Sequence, residues 1–92
     1  MSAETAAALR ATLERQFAPL ELAVEDESHR HAGHAGAREG GHFRVRIVSD
    51  TFRGLSRVAR HRLVYQAVEP LLGRGVHALA IDARTREEFT SQ

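Results

Sequence analysis

Hydrophobic and polar positions along the chain change period several times, and each period predicts an element. From about Ala3 to Ala18 the residues are helix formers, and Leu9, Leu13 and Phe17 recur at four-residue spacing on one face. Ser2 is placed to cap this helix and Pro19 to stop it. In "LELAVED" the period drops to two: Leu20, Leu22 and Val24 alternate with Glu21, Ala23 and Glu25, the pattern of a half-buried strand. "HFRVRIVS" alternates more cleanly, with Phe43, Val45 and Ile47 on one side and Arg44 and Arg46 on the other. The two strands read as a hairpin with a long connection, followed by a turn at "SDTFRG".

The helical period then returns. Ser56 can cap a helix from Arg57 to about Leu72, whose apolar stripe is Ala59, Leu63, Val64, Ala67, Val68 and Leu71. Pro70 lies inside that stripe, so the helix is expected to kink or end near Glu69. Gly73 and Gly75 close the segment. "VHALAID" is a third strand, in which simple alternation puts His77 on one face with Leu79 and Ile81. Thr85 with Glu88 three residues later has the spacing of a capping box and starts a short terminal helix. The order α-β-β-α-β-α makes the long helix a crossover, so the second and third strands are expected to be parallel. A three-stranded mixed sheet covered by helices on one face, an α/β (α+β) fold, satisfies the pattern.

Composition narrows the chemistry. A chain of 92 residues is read as a single domain, residues 1–92, with room for one core. Its formal charge of +1 exerts no strong pull on nucleic acid or membrane. No apolar run approaches a membrane span, and Glu4 and Glu14 argue against a transit peptide, so a cytoplasmic protein is expected. There is no cysteine, which leaves imidazole and carboxylate as the available metal ligands. No nucleophile triad, cysteine nucleophile or glycine-rich phosphate loop is present, and no enzyme activity is expected.

Two groups of residues remain. "SHRHAGHAGAREGGH" holds four of the six histidines in a polar, glycine-rich connection. His29, His31 and His34 match no closed zinc motif, and a site there needs a ligand from a rigid element. His77, at the start of the third strand, is the natural candidate. Its alternative is a histidine at the strand's edge, hydrogen-bonded to a backbone carbonyl. The second group is Arg53, Arg57, Arg60, His61 and Arg62 on and before the long helix. It reads either as a phosphate grip or as a solvated polar face. With aromatic residues at 5% of the chain, a stacking platform for single strands has little support.

Three segments together resemble the BolA-like family. They are "ESHRHAGHAG", "HFRVRIVSDTFRGLSRVARHRLVYQAV" and "GVHALAIDARTREEF", spanning about Leu20 to Phe89. The most specific motifs are Phe52-x-Gly54-x-Ser56, then Arg60-His61-Arg62-x-Val64-Tyr65, then Val76-His77-Ala78-Leu79. The resemblance implies the class II KH-like fold, although the GxxG loop of nucleic-acid-binding KH domains is not evident. It implies a partner protein that pairs with a monothiol glutaredoxin and shares a [2Fe-2S] cluster with it, in iron sensing or cluster trafficking. The glutaredoxin would bring a cysteine and bound glutathione. This chain, a histidine-type member, would bring His77 and a histidine of the connection, by alignment His31, with His34 as the alternative. It would be a monomer alone and a heterodimer with its partner. The family also implies a rival function, a transcription regulator that binds duplex DNA through Arg53, Arg57, Arg60, His61 and Arg62.

Overall fold

Three buried residues of the first helix set the position of everything else. In the computed structural model, which describes residues 2–27 and 41–90, α1 (Ser2–Phe17) buries Leu9, Leu13 and Phe17. The helix ends because Pro19 cannot continue it; Ala18 swings to φ 45° while its N–H still bonds to the Glu14 carbonyl at 3.1 Å. The chain then enters β1 (Glu21–Asp26), which pairs antiparallel with β2 (Gly41–Val48).

β2 is the central strand. Phe43, Val45 and Ile47 point into the core, and Arg44 and Arg46 stand on the opposite, open face. A 3-10 turn at residues 50–52 follows, seated by Ser49. The buried Ser49 hydroxyl donates to the Phe17 carbonyl at 2.7 Å and accepts from the Thr51 N–H at 3.1 Å. Phe52 is fully buried with its ring centroid 5.3 Å from that of Phe17.

Ser56 caps α2 (Arg57–Val68) by accepting from the Ala59 N–H at 3.1 Å. Val64 and Val68 are fully buried, with Leu63, Ala67 and Leu71 packed against the same cluster. Pro70 converts the end of the helix into a 3-10 turn at residues 69–71, so the break falls where the proline predicts. β3 (Val76–Arg84) runs parallel to β2, giving the sheet order β1-β2-β3, and α3 (Arg86–Thr90) closes the described chain. The α-β-β-α-β-α order and the three-stranded mixed sheet covered on one face are as the sequence predicts. No helix of the described residues is long and apolar enough to cross a membrane.

One expectation is corrected. His77 does not share a face with Leu79 and Ile81 in a regular strand. Gly41 is opposite Val76, but His42 is opposite Ala78, so β3 carries one extra residue, His77, at a bulge. The bulge resets the alternation. Val76 and Leu79, three apart, are both buried, while His77 is exposed.

Candidate functional site at the entrance of the parallel strands

The bulge at His77 depends on the turn before it. Gly73 and Gly75 have φ of 79° and 123°, a region that disfavours any side chain. Gly75 also lies against α1: a Cβ there would sit 2.7 Å from Thr5 Oγ1. The Gly73 N–H bonds to the Val76 carbonyl at 2.9 Å, and the Gly41 N–H bonds to the Gly75 carbonyl at 2.8 Å. These bonds tie the starts of β2 and β3 together. In consequence two histidines meet. His42 is second in β2 and half-buried, its Nε2 inaccessible to solvent. Its ring centroid is 5.1 Å from that of His77, with the rings tilted by 48°.

The connection rich in histidine departs and returns at this same end of the sheet. The last described residue of β1's side, Glu27, donates its N–H to the His42 carbonyl at 2.7 Å, and the chain re-enters at Gly41. Glu27 and Gly41 thus lie at the end of the sheet that holds the His42–His77 pair. His29, His31 and His34 lie outside the described residues. Among the described residues, no group of three or more histidine, aspartate and glutamate side chains gathers to hold a metal ion. His42 carries no role in the reading of the sequence. The available signal is register: in parallel neighbours, a histidine near the start of each strand brings the two rings together.

The arginine group is arranged differently. Arg60, only 12% exposed, is a clamp. Its Nε donates to the Leu55 carbonyl at 2.9 Å and its Nη1 to the Ala83 carbonyl at 3.1 Å. Its two Nη atoms grip both oxygens of Glu88 at 2.6 and 3.0 Å. Glu88 in turn accepts from the Thr85 N–H at 2.9 Å, while Thr85 Oγ1 accepts from the Glu88 N–H at 3.2 Å, the reciprocal box expected from the sequence. The Arg60 hydrogen bonds, with the Thr85 N–H, hold the Glu88 carboxyl down at about 2. Arg53 pairs with Glu87 and with Asp50, and the Glu87 carboxyl is lowered by that guanidinium.

Of the five residues grouped as a phosphate grip, two are therefore engaged in holding α3 and its approach against the sheet. Arg57 and Arg62 are exposed on α2 and His61 is partly exposed. Arg57 and His61 line a groove of about 710 Å³ between α2 and β3, whose floor includes Ile81 and Ala83 and whose walls include the acids Asp82 and Glu88. Its mixed charge does not form the single-sign stripe that a phosphate backbone favours.

The residues 13–88 match the family model described as BolA-like protein, and the chain belongs to that family. It is 43% identical over 91 residues to Protein BOLA1, chloroplastic, of Arabidopsis thaliana, covering 95% of this chain and 57% of that one. It is 38% identical over 80 residues to the DNA-binding transcriptional regulator BolA of Haemophilus influenzae, covering 87% of this chain and 76% of that one. Among solved structures, the BolA domain of SufE1 from Arabidopsis thaliana aligns with a TM-score of 0.80 at 49% identity, covering 90% of this chain and 93% of that domain. The chain spans only 23% of the full SufE-like protein 1 of that plant.

Proposed function

We propose that the protein is a non-enzymatic iron–sulfur partner that binds a monothiol glutaredoxin and shares a [2Fe-2S] cluster with it, serving iron sensing or cluster trafficking in the cytoplasm. In this reading His77 and one histidine of residues 28–40, His31 first and His34 as the alternative, hold one iron. The partner supplies a cysteine and glutathione for the rest. The chain is a monomer alone and a heterodimer when paired.

One observation carries the reading: His77 is exposed, displaced from the core by a bulge, at the end of the sheet where β1 finishes and β2 begins. A ring buried among Leu79 and its neighbours would have ended it. The donor set fits the cluster. Imidazoles are accepted iron ligands in [2Fe-2S] centres, where they remove negative charge relative to thiolates and raise the reduction potential. Two imidazoles alone hold such a cluster weakly, which is why the reading needs a second protein.

The test is reconstitution of a cluster in a mixture of this protein with a monothiol glutaredoxin. The mixture is expected to show a visible spectrum distinct from that of the glutaredoxin alone, and His77→Ala is expected to abolish the difference. An unchanged spectrum in that variant rejects the assignment of His77. Removing His31 and His34 in turn then identifies the second ligand.

A second reading, binding of duplex DNA, is supported by the exposed Arg57 and Arg62 and by the name of the Haemophilus relative. It predicts a complex that weakens steeply as salt rises and weakens further in Arg57→Ala. Absence of binding at low salt removes it.

A further inference from the structure

We propose that the groove between α2 and the free edge of β3 takes an extended acidic peptide segment, added beside β3 as a further strand. Among the described residues β3 pairs with β2 on one side and with no strand of the sheet on the other. The Arg84 carbonyl bonds back toward β2, to the Ser49 N–H, so in the alternating part of the strand Leu79, Ile81 and Ala83 aim their N–H and C=O groups outward. Side chains of α2 agree with that direction. Tyr65 donates to the Leu79 carbonyl at 2.7 Å and Arg60 to the Ala83 carbonyl at 3.1 Å. Among the described residues no side chain donates to the carbonyl of Ile81, which lies between these two plugs. The edge is therefore closed to indiscriminate sheet growth at two points and open at one.

The charge of the groove selects the occupant. Its two acids are already engaged, Glu88 by both Nη atoms of Arg60, and Asp82 by Arg84 at 2.9 Å and Arg46 at 4.0 Å. Among the described residues Arg57 has no ion pair, and it stands on the groove beside the partly exposed His61. One uncompensated guanidinium suits a carboxylate of a peptide. It does not suit a run of phosphates, which Asp82 and Glu88 would repel. The groove volume of about 710 Å³ has room for a segment of a few residues, and Ile81 and Ala83 give alternate side chains an apolar floor.

The experiment titrates the full chain, with no glutaredoxin present, with a short capped peptide alternating valine and glutamate, followed by NMR of the backbone amides. Its outcome is independent of the cluster reading. Saturable shifts are expected at Ile81, Ala83 and Arg57. Two controls alter the peptide and leave the protein intact. N-methylation of the peptide backbone removes the donors of strand pairing and is expected to abolish binding. Glutamine in place of glutamate removes the charge and is expected to weaken binding about threefold or more, as is the exposed change Arg57→Gln. Equal affinity of either altered peptide, equal affinity in Arg57→Gln, or no shift at Ile81 up to about 1 mM peptide overturns the proposal. So does a short oligothymidylate that shifts these amides where the peptide does not, a result that assigns the groove to nucleic acid.

Discussion

The two ends of the sheet carry the two groups of polar residues that stand out along the chain, and they use them in opposite ways. At the end where β3 finishes, Arg60 meets two backbone carbonyls and both oxygens of Glu88. Its charge and its donors are spent inside the molecule. At the end where β2 and β3 begin, His42 and His77 face one another, one on an exposed bulge. An arginine on a surface helix and a histidine at a strand's start look equally available in a sequence. What separates them is whether the fold brings a carboxylate and carbonyls to the side chain or brings a second ring of the same kind. The lesson is that a polar group is read by what its neighbours do to it.

The comparison predicts unequal costs. Arg60→Ala is expected to destabilise the fold. It strips partners from the part-buried carbonyls of Leu55 and Ala83 and from the half-exposed Glu88 carboxylate, a loss of about 1 kcal/mol for the hydrogen bonds after water replaces some of them. The urea midpoint measures it. If Arg60→Ala unfolds like the parent, the clamp is not structural and the contrast between the ends fails.

Gly75→Ala tests the histidine end by the backbone. The φ of 123° and the approach of Thr5 predict a loss of about 1–3 kcal/mol, with changed NMR shifts at His77 and little change at Glu88. Adding Thr5→Ala relieves the crowding but not the φ, so a partial recovery is expected.

Acid sharpens the arginine end. The ordinary Glu88 value of 4.5 is lowered to about 2 in the folded chain, chiefly by the Arg60 hydrogen bonds. A depressed carboxyl contributes stability that is fully present above its unfolded value and is lost as pH falls from about 4.5 toward 2. Stability is thus expected to decline over that window, and Arg60→Ala is expected to flatten this part of the decline. An unaltered acid limb in the variant assigns the decline to other groups.

The smallest effect belongs to the candidate ligand. His77 is exposed, so His77→Gln is expected to change stability by no more than about 0.5 kcal/mol while it removes the proposed cluster binding. A large stability loss would make His77 a structural residue like Arg60.

Much of the fold was legible because it is local. The four-residue spacing of Leu9, Leu13 and Phe17, the alternation of Phe43, Val45 and Ile47, the caps at Ser56 and Thr85 and the break at Pro70 each act within a turn or two of chain. The exposed position of His77 was not legible, since simple alternation put it with Leu79. A bulge is a property of two strands in register, and "VHALAID" alone holds no sign of the extra residue. The contact of His42 with His77 was hidden for the same reason. The clamp made by Arg60 was hidden because its partners, Ala83 and Glu88, are 23 and 28 residues away.

The sequence by itself determined the element order, the one-sided core, the lack of any thiol and, through its motifs, the family. Only the tertiary structure decided which polar side chains are used up and which are presented. Periodicity and capping are short-range, carried by the geometry of one helix or strand. The pairing of His42 with His77 and of Arg60 with Glu88 is long-range, made when the parallel crossover lays β3 beside β2 and packs α2 over the sheet.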